Sequence, residues 1–488
     1  MSTGSIALDH PIDQKLFGLV CRAMVTALNY VREAGSGKTH VGDHANWPEL
    51  RYHDNSGLPW VANYPVGPKN YGDAISGTYS LLSAPLGNEP ALDFRKEANF
   101  VELAAYAKTH PRVREYLGLG HDIGDIRLLS LVSDILDRYV HRNGAIGLDP
   151  KALLPIYLPI EMCLFDRVLP VTVVVPILFL KFEFPNLRIN DSMSIGKLSE
   201  EFHLARGWSG AYGDTSNSLV ESAATHGLFI SGIEIENENW LKLGQREMEP
   251  TSYPIEIIDT FFAALRIATA YPTGYAQIVS VPVNWADSYA AEITPVSGPR
   301  VEKYPFFFKE GYWQEPVASV TRSEAVKVAE VFVSLQRTLE TADGGKVRVA
   351  LHRLNLSATR VSEEDGIIDC VTAMEALLSD GTQEMTYKVA MRLGALYKIL
   401  DSRRATQAFT EVKKIYAYRS KIVHGSADLE KGREIGRGEG KIATIDAAIE
   451  HLRNAFFVLV GNPAFLDPKE IDRFLLSDMV DAPLPGAG

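Results

Sequence analysis

The C-terminal third of the chain contains six consecutive segments in which apolar residues recur at the three- and four-residue spacing of an amphipathic helix. The first of them opens with Thr321 and Glu324, whose spacing is the capping-box signal for the start of a helix. Because short connections favour antiparallel neighbours, we expect this region to form an all-α helical bundle. The predicted helices are Thr321–Glu340, Lys346–Thr359, Glu363–Leu378, Thr386–Leu400, Ala405–His424 and Ile442–Val460.

The middle of the chain has a different character, because β-branched and aromatic residues are concentrated between Pro170 and Glu238. Such residues favour strands. The predicted strands cover residues 171–175, 177–184, 187–195 and 228–235. The region before them has helical patterns over 11–34, 97–110 and 123–141, with an irregular stretch at 40–93.

The length of 488 residues is too great for one core of ordinary size, so two or three domains are expected. The patterns predict a mostly helical and irregular N-terminal region at 1–150, an α+β domain at 151–315 and the helical bundle at 316–488. The predicted fold class is therefore α+β, with a β-rich middle domain and an all-α C-terminal part.

The composition is that of an ordinary globular protein, with 46% hydrophobic and 23% charged residues. The three cysteines lie far apart without metal-ligand spacing, which suits a reducing compartment. The most apolar run, residues 168–182, contains Pro170 and Pro176 and is too short to span a bilayer. No signal-peptide pattern is present at the N-terminus. We therefore expect a cytoplasmic protein without a membrane partner.

The charge is unevenly distributed along the chain. A net charge of −12 speaks against wholesale coating of nucleic acid. Residues 385–442, however, contain thirteen Lys or Arg against six Asp or Glu, a balance of +7 that leaves −19 for the remainder. A local basic surface is what binding to a phosphate backbone requires, although basic residues on exposed helix faces are as often simply solvated.

The predicted helix that begins at Ala405 ends in the residues Tyr418-Arg419-Ser420-Lys421-Ile422-Val423-His424-Gly425. Arg419 interrupts the apolar stripe, where a guanidinium is costly to bury without an anionic partner. His424 lies about 140° further round the helix, and Ser420 shares its face, because each residue turns the chain by about 100°. Gly425 is placed to end the helix. The plain structural interpretation is an arginine paired with a buried carboxylate and a histidine at a helix end.

Two further segments precede this motif, Asp369-Cys370-Val371-Thr372-Ala373-Met374-Glu375-Ala376-Leu377-Leu378 and Tyr387-Lys388-Val389-Ala390-Met391-Arg392-Leu393. The succession of the three segments resembles the HEPN superfamily, in particular its Apea-like branch, over about residues 355–462. The resemblance implies a HEPN-like helical core in that range. It also implies that Arg419 and His424 match the R-x4–6-H motif of the superfamily.

The resemblance implies an RNA endonuclease that needs no metal or other cofactor. In nuclease members the motif cuts RNA, and the 2′-hydroxyl of the substrate is the nucleophile, so the expected products carry a 2′,3′-cyclic phosphate and a 5′-hydroxyl. Two copies of the motif, facing each other across a homodimer, would supply the base and the acid. The implied substrate is RNA, with transfer RNA among the candidates, and the implied role is that of a toxin or antiviral-defence effector.

Several residues near the motif are candidates for supporting roles. Ser420 follows the arginine where many relatives carry Asn, Asp or His, and its hydroxyl could donate to phosphate. Glu375 lies on an otherwise apolar helix face, so we expect it either to pair with Arg419 or Arg392 or to reach solvent at the edge of the core. Lys421 and Arg392 are the candidate contacts with RNA.

Two alternatives remain open at this point. A HEPN-like bundle without activity would bind nucleic acid or another protein through the same basic region. Nucleotide chemistry at Gly35-Ser36-Gly37-Lys38-Thr39, which looks like the tail of a P-loop, has less support because a helix precedes it and Arg32 replaces the first glycine. A His-Asp pair at His121 and Asp122 can begin a metal site, but His141 is its one obvious further ligand, so no metal site is predicted.

Overall fold

The computed structural model describes residues 10–34, 39–76, 93–119, 122–208, 220–309, 311, 315–381, 384–426 and 428–480. Helices predominate, small sheets lie in the middle of the chain, and the C-terminal part is largely helical. The predicted α+β class is thereby confirmed.

The chain divides into two compact units rather than three consecutive domains. The first unit comprises residues 1–176, 190–253 and 277–301, and the second comprises 177–189, 254–276 and 302–488. The division differs from the predicted one because the chain leaves each unit and returns to it. Composition along the sequence does not report such returns.

The described residues of the first unit form helices and strands in similar number. The helices are Gln14–Ala34, Asp73–Ser76, Ala98–Thr109, Pro111–Leu117, Asp122–Asn143, Pro150–Phe165, Glu200–Trp208 and Trp240–Met248, and the strands are Gly42–Asp43, Trp47–Tyr52, Pro59–Tyr64, Lys69–Asn70, Val168–Ile177 (whose last residue is assigned to the second unit), Met193–Lys197, His226–Glu236 and Val279–Pro282.

The main sheet of the first unit is built around the strand Val168–Ile177. This strand lies between Val279–Pro282 and His226–Glu236, and Met193–Lys197 follows on the far side of His226–Glu236. The pairing with Val279–Pro282 is antiparallel and places Val174 opposite Val279. The run Val173–Val175 is at most 2% exposed, so side chains on both faces of this strand are buried. Its near-continuous apolar sequence follows from that burial.

The second unit is the helical bundle with short strands. Its helices are Ile255–Thr269, Arg322–Leu339, Gly344–Ser357, Glu363–Leu378, Met385–Asp401, Ala405–Val423, Thr444–Gly461 and Pro468–Val480, and its strands are Lys181–Phe182, Asn186–Arg188, Ser319–Val320, Glu434–Arg437 and Gly440–Ala443. Two further strands, Tyr275–Gln277 and Arg300–Lys303, contain positions where the chain passes between the units.

Local sequence signals account for the helix starts in this bundle. Glu324 donates its N–H to the Thr321 hydroxyl at 3.3 Å, and Thr321 donates its N–H to the Glu324 carboxylate at 2.8 Å. The predicted capping box is therefore confirmed. Ser362 caps the helix Glu363–Leu378 in the same way, because its hydroxyl accepts the Asp365 N–H at 3.1 Å.

The helix Ala405–Val423, called the motif helix below, contains Arg419. It packs on the helices Glu363–Leu378, Met385–Asp401 and Thr444–Gly461. Val412 and Ile415 are fully buried and Tyr416 is 7% exposed, which agrees with the apolar stripe seen in the sequence. The stripe does not continue to the end, because the Val423 side chain is 52% exposed. The C-terminal turn of the motif helix therefore extends beyond the core.

The connection after the motif helix contains a β-hairpin, so the C-terminal part is helical but not all-α as predicted. Glu434–Arg437 pairs antiparallel with Gly440–Ala443. Ile435 is 2% exposed, which gives the hairpin an apolar anchor. Gly438 has a φ of +61°, a value that glycine adopts without strain and that suits the turn between the strands.

Candidate functional site

The end of the motif helix is shaped by Gly425. Its φ of +65° lies in the left-handed region, and its N–H donates to the Ile422 carbonyl at 3.2 Å. The Ser426 N–H donates to the Lys421 carbonyl at 3.0 Å. These bonds satisfy carbonyls of the last turn, as expected for a glycine after a helix. They place His424 at the final position of the helix with an exposed side chain.

Arg419 is half-buried in this same last turn. Its Nε is buried without a hydrogen-bond partner. Within the part of the chain that the structure describes, its guanidinium makes no ion pair and no hydrogen bond. Burial of this nitrogen without an acceptor costs folding free energy. The plain structural interpretation of Arg419, a guanidinium held by a buried carboxylate, is therefore not what the structure contains.

The exposed side of the motif helix carries a set of polar and basic side chains. On helical geometry Lys413, Ser420, Lys421 and His424 fall within about 100° of one another around the axis. Lys413, Ser420 and His424 are exposed, and Lys421 is half-buried. Arg419 lies about 140° from His424, on the side that turns toward the core. One molecule therefore presents its imidazole and its guanidinium on different sides of the same helix end.

Glu375 contacts the motif through Tyr416 rather than through an arginine. It is half-buried on the helix Glu363–Leu378, and in the described residues it forms no ion pair with Arg419 or Arg392. The Tyr416 hydroxyl is buried without a hydrogen bond of regular geometry. Burial and the nearby Glu375 carboxylate raise the pKa of Tyr416, and the Arg419 charge acts in the opposite direction. The predicted pairing is thus replaced by a cluster of Glu375, Tyr416 and Arg419.

Arg392 has a structural position. Its side chain is 1% exposed, and it donates to the Asp472 carboxylate at 2.9 and 2.7 Å. It also donates to Asp380 at 3.1 Å and to the Leu378 carbonyl at 2.8 Å. Each of the three guanidinium nitrogens of Arg392 donates to an acceptor within the protein. The burial speaks against the predicted contact with RNA, so Arg392 is left out of the proposed site.

The basic segment 385–442 is mostly neutralised by ion pairs. Examples are Lys388 with Asp380, Arg403 with Asp401, Arg404 with Glu450, Lys431 with Asp428, Arg433 with Glu364, Arg437 with Glu411 and Glu450, and Lys441 with Glu434. On the motif helix, by contrast, Lys413, Lys414 and Lys421 have no ion pair with any described residue. These three lysines, called the basic strip below, are the part of the segment's positive charge that lies beside His424.

The first unit contains a second cluster, formed by His44, Asp137 and His141. His44 Nε2 lies 2.8 Å from Asp137 Oδ2, and His141 Nε2 lies 3.5 Å from Asp137 Oδ1. Asp137 also accepts the N–H groups of Tyr71 at 2.8 Å and Ala291 at 2.6 Å. Burial alone would raise the pKa of Asp137, but the hydrogen bonds from His141 and His44 hold it well below its usual range.

Sequence reasoning named His141 but not its partners. Asp137 and His141 are one helical turn apart on Asp122–Asn143, a D-x3-H spacing that could have been noticed. His44 lies 93 residues from Asp137, and no local pattern connects them. His121, which the sequence places beside Asp122, lies outside the described residues, as do residues 35–38 of the glycine-rich segment.

Comparisons with known proteins give no relative for this chain. No family model, no curated protein and no solved structure matches it. In the described part of the chain, no helix is both long enough and apolar enough to cross a bilayer.

Proposed function

We propose that the protein is a metal-independent RNA endonuclease of the HEPN type, with Arg419 and His424 as its catalytic pair. One observation carries the proposal: the last turn of the motif helix holds a half-buried guanidinium without a carboxylate partner and, five residues later, an exposed imidazole. Arg392 and Arg437 in the same unit are each bound by two carboxylates. Those two arginines are held by ion pairs within the fold, and Arg419 is not.

The two side chains suit phosphodiester chemistry on RNA. The 2′-hydroxyl of RNA is a nucleophile already positioned beside the phosphate, so the enzyme needs to move protons and stabilise charge. Imidazole titrates near neutral pH and can remove the 2′-proton or protonate the departing 5′-oxygen. The Arg419 guanidinium can donate two parallel hydrogen bonds to phosphate oxygens, where negative charge grows in the transition state. The products would carry a 2′,3′-cyclic phosphate and a 5′-hydroxyl.

The proposed active form is a homodimer. An in-line displacement needs a base on one side of the phosphate and an acid on the other, and each chain supplies one His424. The angle of about 140° between Arg419 and His424 around the helix axis also separates the two groups within one chain. Two helix ends that meet would bring the imidazole of one copy toward the guanidinium of the other. Ser420 and Lys421 are then placed to contact neighbouring phosphates.

The wider role follows from the same proposal. The enzyme would act as a toxin or antiviral-defence effector on cytoplasmic RNA, with transfer RNA among the candidate substrates. Cys21, Cys163 and Cys370 are free thiols, which agrees with a reducing compartment. Glu375 and Tyr416 would act as positioning residues, because their polar groups lie around Arg419 rather than at the exposed end of the helix.

A binding function without catalysis is the second candidate, and the basic strip favours it. Lys413 and Lys414 are exposed, and together with Lys421 they have no ion pair with any described residue. Three such cations can hold a phosphate backbone without any proton transfer. A protein of this kind would bind RNA in a salt-dependent manner and leave it intact.

The experiment compares RNA cleavage by the full chain with that of Arg419→Ala and His424→Ala. The substrate is a labelled single-stranded RNA in EDTA buffer, and a matched substrate with 2′-deoxy sugars serves as the chemical control. We expect each variant to lose at least about 100-fold in rate, the lower end of what a general acid or base contributes. Fragment ends should be 2′,3′-cyclic phosphate and 5′-hydroxyl, and the deoxy substrate should stay intact.

Matched controls are available in the same unit. His352 is an exposed histidine on another helix, and Arg403 is an exposed arginine with an 89% exposed side chain. His352→Ala and Arg403→Ala should cleave like the wild type. Full activity in His424→Ala would refute the proposed site. Salt-sensitive RNA binding by a wild type that cuts no RNA would favour the second candidate.

A further inference from the structure

The side chains His44, Asp137 and His141 bring two imidazoles and a carboxylate to one point in the first unit. All three potential ligand atoms lie within 4.8 Å of one another. The Lys69 carbonyl oxygen lies 2.8 Å from His141 Nε2 and adds a fourth donor. Two imidazoles with one carboxylate are a ligand set that zinc and ferrous iron use in proteins.

The distances match those of a metal coordination sphere. Neighbouring ligand atoms around a tetrahedral zinc ion stand about 3.3 Å apart, because the bonds are about 2.0–2.1 Å long. His44 Nε2 lies 2.8 Å from Asp137 Oδ2, and His141 Nε2 lies 3.5 Å from Asp137 Oδ1. The first of these distances is shorter than the spacing of about 3.3 Å expected around zinc, and the second is slightly longer. Little movement of the side chains would therefore be needed to admit an ion.

The surroundings hold the ligands in place from several sides. Asp137 and His141 are fixed by one helix, with side chains 2% and 18% exposed. The His44 side chain is 7% exposed, and its ring lies 5.4 and 5.2 Å from the rings of Trp47 and Trp208. The N–H groups of Tyr71 and Ala291 orient the carboxylate. Hydrogen bonds from outer groups to the ligand side chains hold those side chains in the orientation that a metal ion needs, even before the ion binds.

The cluster also borders an acidic cavity. This cavity has a volume of about 540 Å³, and His44 and Asp137 belong to its wall. Three more carboxyl groups, those of Asp43, Asp73 and Asp134, line it as well. Asp43 is paired with Lys69 and burial raises the pKa of Asp134 to about 7, so Asp137 and Asp73 supply most of the negative charge that favours a cation here. The cavity gives a bound ion an open coordination position for water or for a small neutral or cationic ligand.

We propose that His44, Asp137 and His141 bind one divalent transition-metal ion, with the Lys69 carbonyl or a water molecule as a further ligand and the acidic cavity on the open side. Zinc is the probe of choice, since imidazole and carboxylate ligands suit it and it has no redox chemistry. This metal site is separate from the proposed nuclease site, which lies in the other unit and uses no metal.

The test measures zinc binding by the full chain after its metals are removed with EDTA and the EDTA is dialysed away. Competition against a chromogenic zinc chelator gives stoichiometry and affinity. We expect one tightly bound zinc per chain. His44→Gln and His141→Gln should each weaken zinc binding by more than about 100-fold. Removal of a residue that only hydrogen-bonds to a metal ligand already lowers metal affinity by about 10–100-fold. Cobalt in place of zinc should give the visible absorption of a low-symmetry site, and each variant should lose it.

The glutamine side-chain amide can still donate to the Asp137 carboxylate or, at position 141, to the Lys69 carbonyl. The substitutions therefore remove an imidazole ligand but can keep the hydrogen bonds of the cluster. Circular dichroism in EDTA checks that each variant is folded, and His141→Gln is the safer variant because His141 is the least buried of the three. His352→Gln, at an exposed histidine, is the control and should bind zinc normally. Absence of tight zinc binding in the wild type, or unchanged affinity in a folded His141→Gln, would leave a hydrogen-bonded network and overturn the proposal.

Discussion

At the scale of single residues, the buried and half-buried arginines of the second unit differ in the groups that their guanidinium contacts. Arg392 and Arg437 each reach two carboxylates, and Arg266 donates to Asn355 and the Thr273 carbonyl. Arg419 has none of these contacts among the described residues, and the half-buried Arg453 shares this lack of an ion pair. Arg419 differs from Arg453 in that the exposed imidazole of His424 follows it five residues later. The absence of a partner together with this neighbouring imidazole is the physical argument for a role in binding an anion.

This contrast predicts that truncation of the two arginines will change stability by different amounts. Arg392→Ala leaves Asp472 without its arginine and Asp380 paired with Lys388, so we expect a loss of at least about 2 kcal/mol in the free energy of unfolding. Arg419→Ala removes no ion pair and should change stability by less than about 1 kcal/mol. Urea unfolding followed by circular dichroism measures both. A strongly destabilised Arg419→Ala would mean that Arg419 is needed for the fold.

At the scale of elements, the hairpin after the motif helix is fixed by a buried ionic network. Arg437 donates to the Glu411 carboxylate at 2.6 Å and to Glu450 at 2.6 Å. His451 Nε2 lies 2.9 Å from Glu411, and its Nδ1 lies 2.8 Å from the Tyr397 hydroxyl. The network therefore joins the hairpin to the motif helix and to the helices Met385–Asp401 and Thr444–Gly461. These bonds hold the hairpin, which begins at Glu434, against the motif helix.

The network makes the stability of the second unit depend on acid pH. Burial alone would raise the pKa of Glu411, but hydrogen bonds from His451, Arg437 and Gln407 lower it far below its usual range. A carboxyl group with a lowered pKa stabilises the fold above its unfolded pKa, about 4.3, and this contribution is lost as the pH falls further. At pH 6 we expect Glu411→Gln to be less stable than the wild type by about 2 kcal/mol.

The difference between wild type and Glu411→Gln should shrink as the pH falls from about 4.5 toward 3. Urea unfolding at several pH values measures it. Glu439→Gln, at an exposed carboxylate of the hairpin turn, is the matched control and should follow the wild-type curve. Curves for wild type and Glu411→Gln that remain parallel down to pH 3 would show that Glu411 is not the group that titrates.

The helices of the bundle could be predicted from the sequence because their signals are local. Glu363–Leu378 has the predicted bounds, and the capping box at Thr321 starts its helix as expected. The hairpin could not be predicted, because its attachment to the motif helix depends on the ion pair between Arg437 and Glu411, which lie 26 residues apart. The burial of Arg392 likewise depends on Asp472, 80 residues away. Local patterns therefore place the motif at a helix end, but they do not report which charged groups will meet.

At the scale of the whole molecule, the two units carry different candidate chemistries. The second unit has the cationic helix end proposed to handle phosphodiesters, and the first has the acidic cavity beside His44, Asp137 and His141. The chain contributes to each unit from three separate segments, so neither can be excised as one continuous fragment. Any test of either site therefore belongs in the full chain. The opposite charges of the two sites also mean that one ligand would not suit both.

Metal removal separates the two sites in one preparation. Ligand that binds only the folded state stabilises it by about 2.7 kcal/mol at 100 times its Kd. Zinc should therefore raise the Tm of the wild type, EDTA should reverse the rise, and His141→Gln should not respond. RNA cleavage should remain within about twofold under both conditions, because imidazole, guanidinium and the 2′-hydroxyl need no metal. Cleavage that disappears in EDTA and returns with zinc would instead assign the chemistry to the first unit and remove it from Arg419 and His424.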